Sequence, residues 1–215
     1  MDIQAAVDRL NALLPLTARQ DQLPAELKVM HLYILSALVG QGSVPDETEL
    51  IEVSGEENIV AALQRLAEQD LVVLDNQGRR PVGAYPVTLE MTPHRLSVNG
   101  QRIFAMCAIE ALAVAPMFDR EVRIESVCHA SRTSIYIHMR GGRLLDVQPT
   151  PKITVGVRWQ TPTSVAAHSL CMEMVFFKDK ACAVEWQAGD CENVSLFTLP
   201  EAVEFAKGFF LPLVV

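Results

Sequence analysis

Arg102-Ile-Phe-Ala-Met-Cys-Ala-Ile-Glu-Ala-Leu-Ala-Val-Ala-Pro-Met-Phe118 is an apolar run that carries one thiol and one carboxyl. Phe104, Ile109, Leu112 and Ala113 recur at helical spacing, which predicts a buried helix that Pro116 ends. Cys107 and Glu110 stand at i and i+3 and so share one helix face. Two readings of the pair are open. In the more common one, Cys107 is a small core hydrophobe and Glu110 a solvated helix-edge carboxylate. In the other, burial raises the acid until it holds a proton near neutral pH. The thiol then needs a helix N-terminus or a soft metal to become a thiolate.

Outward from this run the chain divides. From Thr92 onward short strands and helices alternate irregularly, so an α+β fold fits better than a doubly wound sheet. Strands are predicted over Arg95–Val98, Glu121–Val127, Thr133–His138, Leu144–Gln148, Ile153–Val157 and Val194–Thr198. His168-Ser-Leu-Cys-Met-Glu-Met-Val-Phe-Phe177 reads as a buried central strand with Cys171 near its start. Trp159–Thr163 is expected to be a polar loop. Ala181–Ala188 and Pro200–Phe210 are expected to be helices, the second with proline in its first turn.

Before Thr92 the chain is mostly helical. Apolar positions in Asp2–Leu14 predict an amphipathic helix, and Glu26–Val39 a second that stops at Gly40-Gln-Gly42. A short third helix is expected at Pro45–Ile51, and a fourth capped by Ser54-Gly-Glu-Glu57 and running to Gln69. Leu71–Leu74, the Asp75–Gly78 turn and Val82–Leu89 form a hairpin. Helices followed by a hairpin outline a winged helix, which raises a transcription regulator as an alternative. Charge argues against it: Glu56–Asp70 presents four carboxylates and one arginine, the wrong sign for a phosphate-lined groove. This part is read as a structural lid. The expected domains are 1–91, helical and winged-helix-like, and 92–215, the α+β core that carries the thiols.

Composition narrows the function further. The 215 residues are 50% hydrophobic and 20% charged, which suits a globular core, and the net charge of −8 gives no basic patch for nucleic acid. The first residues lack a basic n-region and no apolar run is long enough to span a bilayer, so a cytoplasmic protein without membrane partners is expected. Five cysteines without a C-x-x-C pair fit reduced thiols better than disulfides or a zinc ribbon. Cys182 and Cys191 are read as incidental, and His129, His138 and His168 as hydrogen-bonded structural residues. Trp159 and Phe176 are expected to line a core or pocket.

Several of these segments together resemble the organomercurial lyases, or alkylmercury lyases, bacterial enzymes that cleave carbon–mercury bonds. The resemblance rests on Gly83-Ala-Tyr-Pro86, Thr92-Pro-His-Arg95, Arg102–Leu112, Cys128 and its strand, and Ser169–Phe177 followed by Trp186. It implies that Cys107 and Cys171 bind mercury with Glu110 also at the metal, that Glu110 is the acid–base residue, and that Cys128 is structural. The family usually has aspartate where Glu110 stands; glutamate moves the carboxyl one methylene farther, a shift large enough to cost activity if it misplaces the proton. Met172 stands where some relatives carry another cysteine.

The implied chemistry is protonolysis. Cys107 attacks first, Glu110 takes a thiol proton, Cys171 completes a dithiolate, and the proton passes to carbon to release a hydrocarbon and Hg(II). No cofactor is required, reduced thiols support turnover, and cellular thiols or a mercuric reductase remove the metal. The alternative is a relative of the same fold that binds Hg(II) or Cu(I) through Cys107 and Cys171 without turnover.

Overall fold

A computed structural model describes residues 2–163 and 165–215; Met1 and Ser164 lie outside the described residues. The chain opens with five helices, α1 (Ile3–Leu13), α2 (Leu16–Asp21), α3 (Ala25–Gln41), α4 (Glu47–Ser54) and α5 (Ile59–Glu68). The strands β1 (Val72–Leu74), β2 (Pro81–Ala84), β3 (Val87–Thr88), β4 (His94–Val98) and β5 (Gln101–Ala105) follow. Then come α6 (Ala108–Phe118), β6 (Glu121–Val127), β7 (Ser134–Arg140), β8 (Arg143–Gln148) and β9 (Thr154–Arg158). The chain closes with β10 (Met174–Phe177), α7 (Lys180–Gln187), β11 (Val194–Thr198) and α8 (Leu199–Phe210). The fold is the mixed α+β class expected.

Eight strands form one antiparallel sheet in the order β1-β2-β3-β5-β4-β6-β7-β8, and β10-β9-β11 form a second. The hairpin strands β1 and β2 therefore join the large sheet through β3, which pairs with β5 at Thr88 and Phe104. Tyr85-Pro86 separates β2 from β3, where the sequence reads one returning strand; proline has no N–H to continue the ladder. Helix α3 packs on β2, β3 and β5, and α5 packs on β1, so the helical half covers that end of the sheet.

Helix α6 sits at the centre. It packs against α8, the large sheet and β10, and Ile109, Leu112 and Val114 have no exposed surface. Each contributes about 1.5–3 kcal/mol by burial. A helix apolar on every side belongs in a core, and its alanines let the neighbouring elements approach closely.

Local structure departs from the sequence reading at further points. The apolar run is not one helix: residues up to Ala105 are a strand, and the helix starts at Ala108. Backbone pairing with β4 across five registered residues, His94 to Val98, outweighs the helical spacing. Pro116 does not end α6, which runs to Phe118 and closes with Asp119 in the left-handed region (φ 47°). Near a C-terminus proline removes a single helical bond, and the burial of the helix offsets it.

Asn58, not Ser54, caps α5 by accepting from the Ala61 N–H at 3.1 Å, while Gly55 (φ 73°) ends the preceding helix. Lastly, Cys171 does not start a strand. Residues Leu170–Glu173 form a 3-10 turn, and pairing with β9 begins at Met174 opposite Val157.

Candidate active site

The β5–α6 junction delivers the first two groups. The chain is still extended at Cys107 (φ −147°, ψ 174°), and its Sγ accepts the Glu110 N–H at 3.4 Å, so the thiol is the N-cap of the helix. Glu110 is the third helical residue. This is the spacing of a capping box with sulfur in place of the usual hydroxyl. Both groups stand at the positive end of the helix, where thiolate and carboxylate are favoured.

Cys171 comes from the other side, on the 3-10 turn before β10. The helical half fastens the 3-10 turn immediately before it, Ala166–His168. The Ala166 N–H donates to Asp70 Oδ2 at 3.2 Å and the Ala167 N–H to Tyr85 Oη at 2.8 Å, while Tyr85 Oη donates to Asp70 Oδ1 at 3.1 Å. Arg19 lies 3.7 Å from Asp70 and donates to the Gln69 carbonyl at 3.2 Å. Held this way, Cys171 Sγ donates to Glu110 Oε1 at 3.4 Å.

The three sequence-predicted groups are thus brought together. Cys107, Glu110 and Cys171 each offer a ligand atom within 4.8 Å of the other two, and all three are buried. Burial pushes the Glu110 carboxyl up to about 8 against the opposing pull of the Cys171 and Cys107 contacts. Its Oε2 is buried with no hydrogen-bond partner among the described residues. Burial also raises Cys107, partly countered by Cys171. Its contact with Cys107, followed by burial, pushes Cys171 well above the ordinary thiol range. All three groups therefore hold protons at neutral pH while the site has no countercharge. A thiophilic cation supplies that charge and makes deprotonation favourable.

A cavity of about 380 Å³ opens beside the site and is lined by Cys171, Met106, Met172, Met174, His94 and Phe176 among others. Cys171 reaches its wall, whereas Cys107 and Glu110 are not lining residues. A larger groove of about 530 Å³ between α1 and the C-terminal residues shares no lining residue with it. Sequence reasoning missed His94 and Met174 as cavity residues. His94 is buried, which lowers it to about 4 and keeps the ring neutral, and its Nδ1 contacts Ser126 Oγ at 2.9 Å. Its only sequence signal is its place in the Thr92–Arg95 segment.

The remaining candidates fall elsewhere. Cys128 is buried, and its Sγ accepts the Ser131 N–H at 3.5 Å. Cys182 is half-buried and Cys191 exposed. His129 and His168 line the cavity, and His138 contacts Glu121 at 2.8 Å. Trp159 is core rather than cavity wall, donating to Ser195 Oγ at 2.8 Å and packing on Phe205. Among the described residues no helix is long and apolar enough to cross a membrane.

Comparison with known proteins gives a consistent result. The family model for alkylmercury lyase matches residues 87–210, a span that includes Cys107, Glu110 and Cys171. An alkylmercury lyase of Staphylococcus epidermidis is 33% identical over 153 residues, covering 70% of this chain and 67% of that protein. One from Bacillus cereus is 30% identical over 155 residues, 71% of this chain and 68% of that protein. The crystal structure of the mercury-bound form of MerB2 shares the fold, with a TM-score of 0.74 at 21% identity over 92% of this chain and 98% of that one.

Proposed function

Because the chain belongs to the alkylmercury lyase family, we propose that it cleaves the carbon–mercury bond of organomercury compounds by protonolysis, releasing a hydrocarbon and Hg(II). The observation that carries this reading is the buried trio of Cys107, Glu110 and Cys171 with ligand atoms within 4.8 Å of one another. Two metal–sulfur bonds of about 2.3 Å, the zinc–thiolate length, span about 4.6 Å end to end. Both sulfurs therefore lie close enough to reach one soft ion.

Access favours capture by Cys171, the thiol that lines the cavity, before Cys107. As Cys171 Sγ bonds to the mercury of R–Hg–X, X takes the thiol proton and leaves as HX, while Glu110, whose Oε1 accepts the Cys171 thiol at 3.4 Å in the free site, keeps its own proton. Cys107 then adds to the same mercury as the second sulfur. Two sulfurs on mercury raise electron density at carbon; Glu110 gives its proton to carbon as the carbon–mercury bond breaks, releasing R–H, and takes up the Cys107 thiol proton in exchange, so it ends as the acid it began. The sum is R–Hg–X plus two thiols giving R–H, HX and the mercury dithiolate. A carboxyl held at about 8 keeps a captured proton at neutral pH instead of losing it to water. The apolar cavity wall suits alkyl or aryl groups and keeps water from the leaving carbon.

Neither a resident metal nor an organic cofactor takes part in this scheme. Small cellular thiols, or a mercuric reductase, take Hg(II) from the dithiolate by exchange, and reducing cytoplasm keeps both cysteines competent.

The test is benzene release from phenylmercury in excess small thiol, followed by gas chromatography. Multiple turnovers, abolished by Cys107→Ser and by Cys171→Ser, are expected. Stoichiometric mercury binding with no benzene refutes the lyase reading and makes the chain a soft-metal binder.

A further inference from the structure

Met174 is the first residue of β10, three positions after Cys171, and it is 2% exposed. Its Sδ lies 3.8 Å from Cys107 Sγ, as acceptor to that thiol. It lines the same cavity as Cys171, so it borders the thiol pair from the open side. From these contacts we propose that Met174 is a third sulfur donor in the soft-metal site, binding the substrate or product mercury together with Cys107 and Cys171. The proposal rests on the lyase reading for the identity of the cation.

Geometry supplies the first reason. A thiol that donates to a thioether directs its proton at a sulfur lone pair. When mercury replaces that proton, the metal occupies the space between Cys107 Sγ and Met174 Sδ, and the lone pair already faces it. The second reason is charge. Mercury(II) with two thiolates is neutral, and a thioether raises its coordination without adding another charge to a buried site. No proton has to be displaced, because a thioether carries none.

Composition of the cavity supplies the third. Four of the eight methionines in the chain, Met91, Met106, Met172 and Met174, line this one cavity. Met91 and Met172 are exposed, at 88% and 59%, whereas Met106 and Met174 are buried. Methionine is also a general filler of irregular gaps. The filler role predicts that leucine replaces Met174 without consequence for mercury, and the donor role predicts the opposite.

The experiment uses the reduced full-length protein loaded with one equivalent of Hg(II). Mercury L-edge absorption should count two short sulfur neighbours and one longer one in the parent, and only the two short ones in Met174→Leu, a volume-conserving exchange. Competition against a small dithiol should show about tenfold weaker mercury retention in that variant, close to 1.4 kcal/mol, with no change in Met139→Leu, a buried methionine of β7 outside the cavity lining. Selenomethionine-labelled parent protein gives a readout free of mutation: the selenium edge should acquire a mercury neighbour.

A parent site with two sulfurs only, or a selenium edge unchanged by mercury, overturns the proposal and leaves the lyase reading intact. A three-sulfur site in a protein that releases no benzene from phenylmercury has the reverse meaning: the thioether donor stands and the lyase reading fails.

Discussion

Replacing Glu110 with glutamine separates what the carboxyl does for chemistry from what it costs the fold. The group has no exposed surface, and burial raises it from 4.5 to about 8. In the unfolded chain it loses its proton near pH 4.5, while the folded protein keeps it until about pH 8. Over that window the native state binds more protons than the unfolded state, so stability falls as pH rises. The full slope is about 1.4 kcal/mol per pH unit, and between pH 5 and pH 8 the carboxyl removes roughly 3 kcal/mol. Glutamine fills nearly the same volume and does not titrate. Its buried amide adds a fixed cost, which cancels when only the pH dependence is compared.

Urea unfolding of both proteins at pH 5, 6, 7 and 8 measures the effect. The parent should lose about 3 kcal/mol relative to Glu110→Gln across the series. At every pH the variant should release benzene from phenylmercury about 10²–10⁴-fold more slowly while still binding Hg(II). Parallel stability curves refute the claim that Glu110 folds protonated, and unchanged benzene release refutes its role as the proton donor.

Two further outcomes test the supports of the site. Tyr85→Phe leaves the Ala167 N–H and one Asp70 oxygen without the hydroxyl they contact; a loss of about 1–3 kcal/mol is expected by urea unfolding, with faster hydrogen exchange in the Ala166–His168 turn just before Cys171. Gly156→Ala drives a Cβ to 2.7 Å from the Trp186 ring and 2.8 Å from the Phe177 ring, which pack on each other at 5.2 Å. Overpacking of about 1–3 kcal/mol should lower the melting temperature by roughly 2–10 °C, with mercury stoichiometry unchanged.

Much of the architecture was legible where one periodicity had no competitor. Glu121–Val127 alternates cleanly, and it and Val194–Thr198 are strands over those bounds, while the helix predicted over Pro200–Phe210 begins one residue earlier. Where an apolar segment satisfies both periods, local pattern does not choose. Ile103 and Ala105 are buried on one strand face, yet the same stretch continues helical spacing into Ile109 and Leu112. Pairing with β4 decided the matter. The same limit hid the turn at Cys171: its apolar neighbours look like strand, but β9 pairs only from Met174 onward.

The residue types of the site were set by the sequence alone. A cysteine three positions before an acid, a distant cysteine before paired aromatics, and a composition without a basic surface are all one-dimensional facts, and they sufficed for the family resemblance. Tertiary structure alone decided that Cys171 meets Glu110 across 61 residues at 3.4 Å, that burial raises Glu110 and Cys107 while contact with Cys107 raises Cys171, and that Met174 faces Cys107. The reason is physical. Helical and strand propensities act between near neighbours, whereas distance between remote side chains and the dielectric around them depend on how β10 and its turn, pinned by Asp70 and Tyr85, pack against the N-terminus of α6.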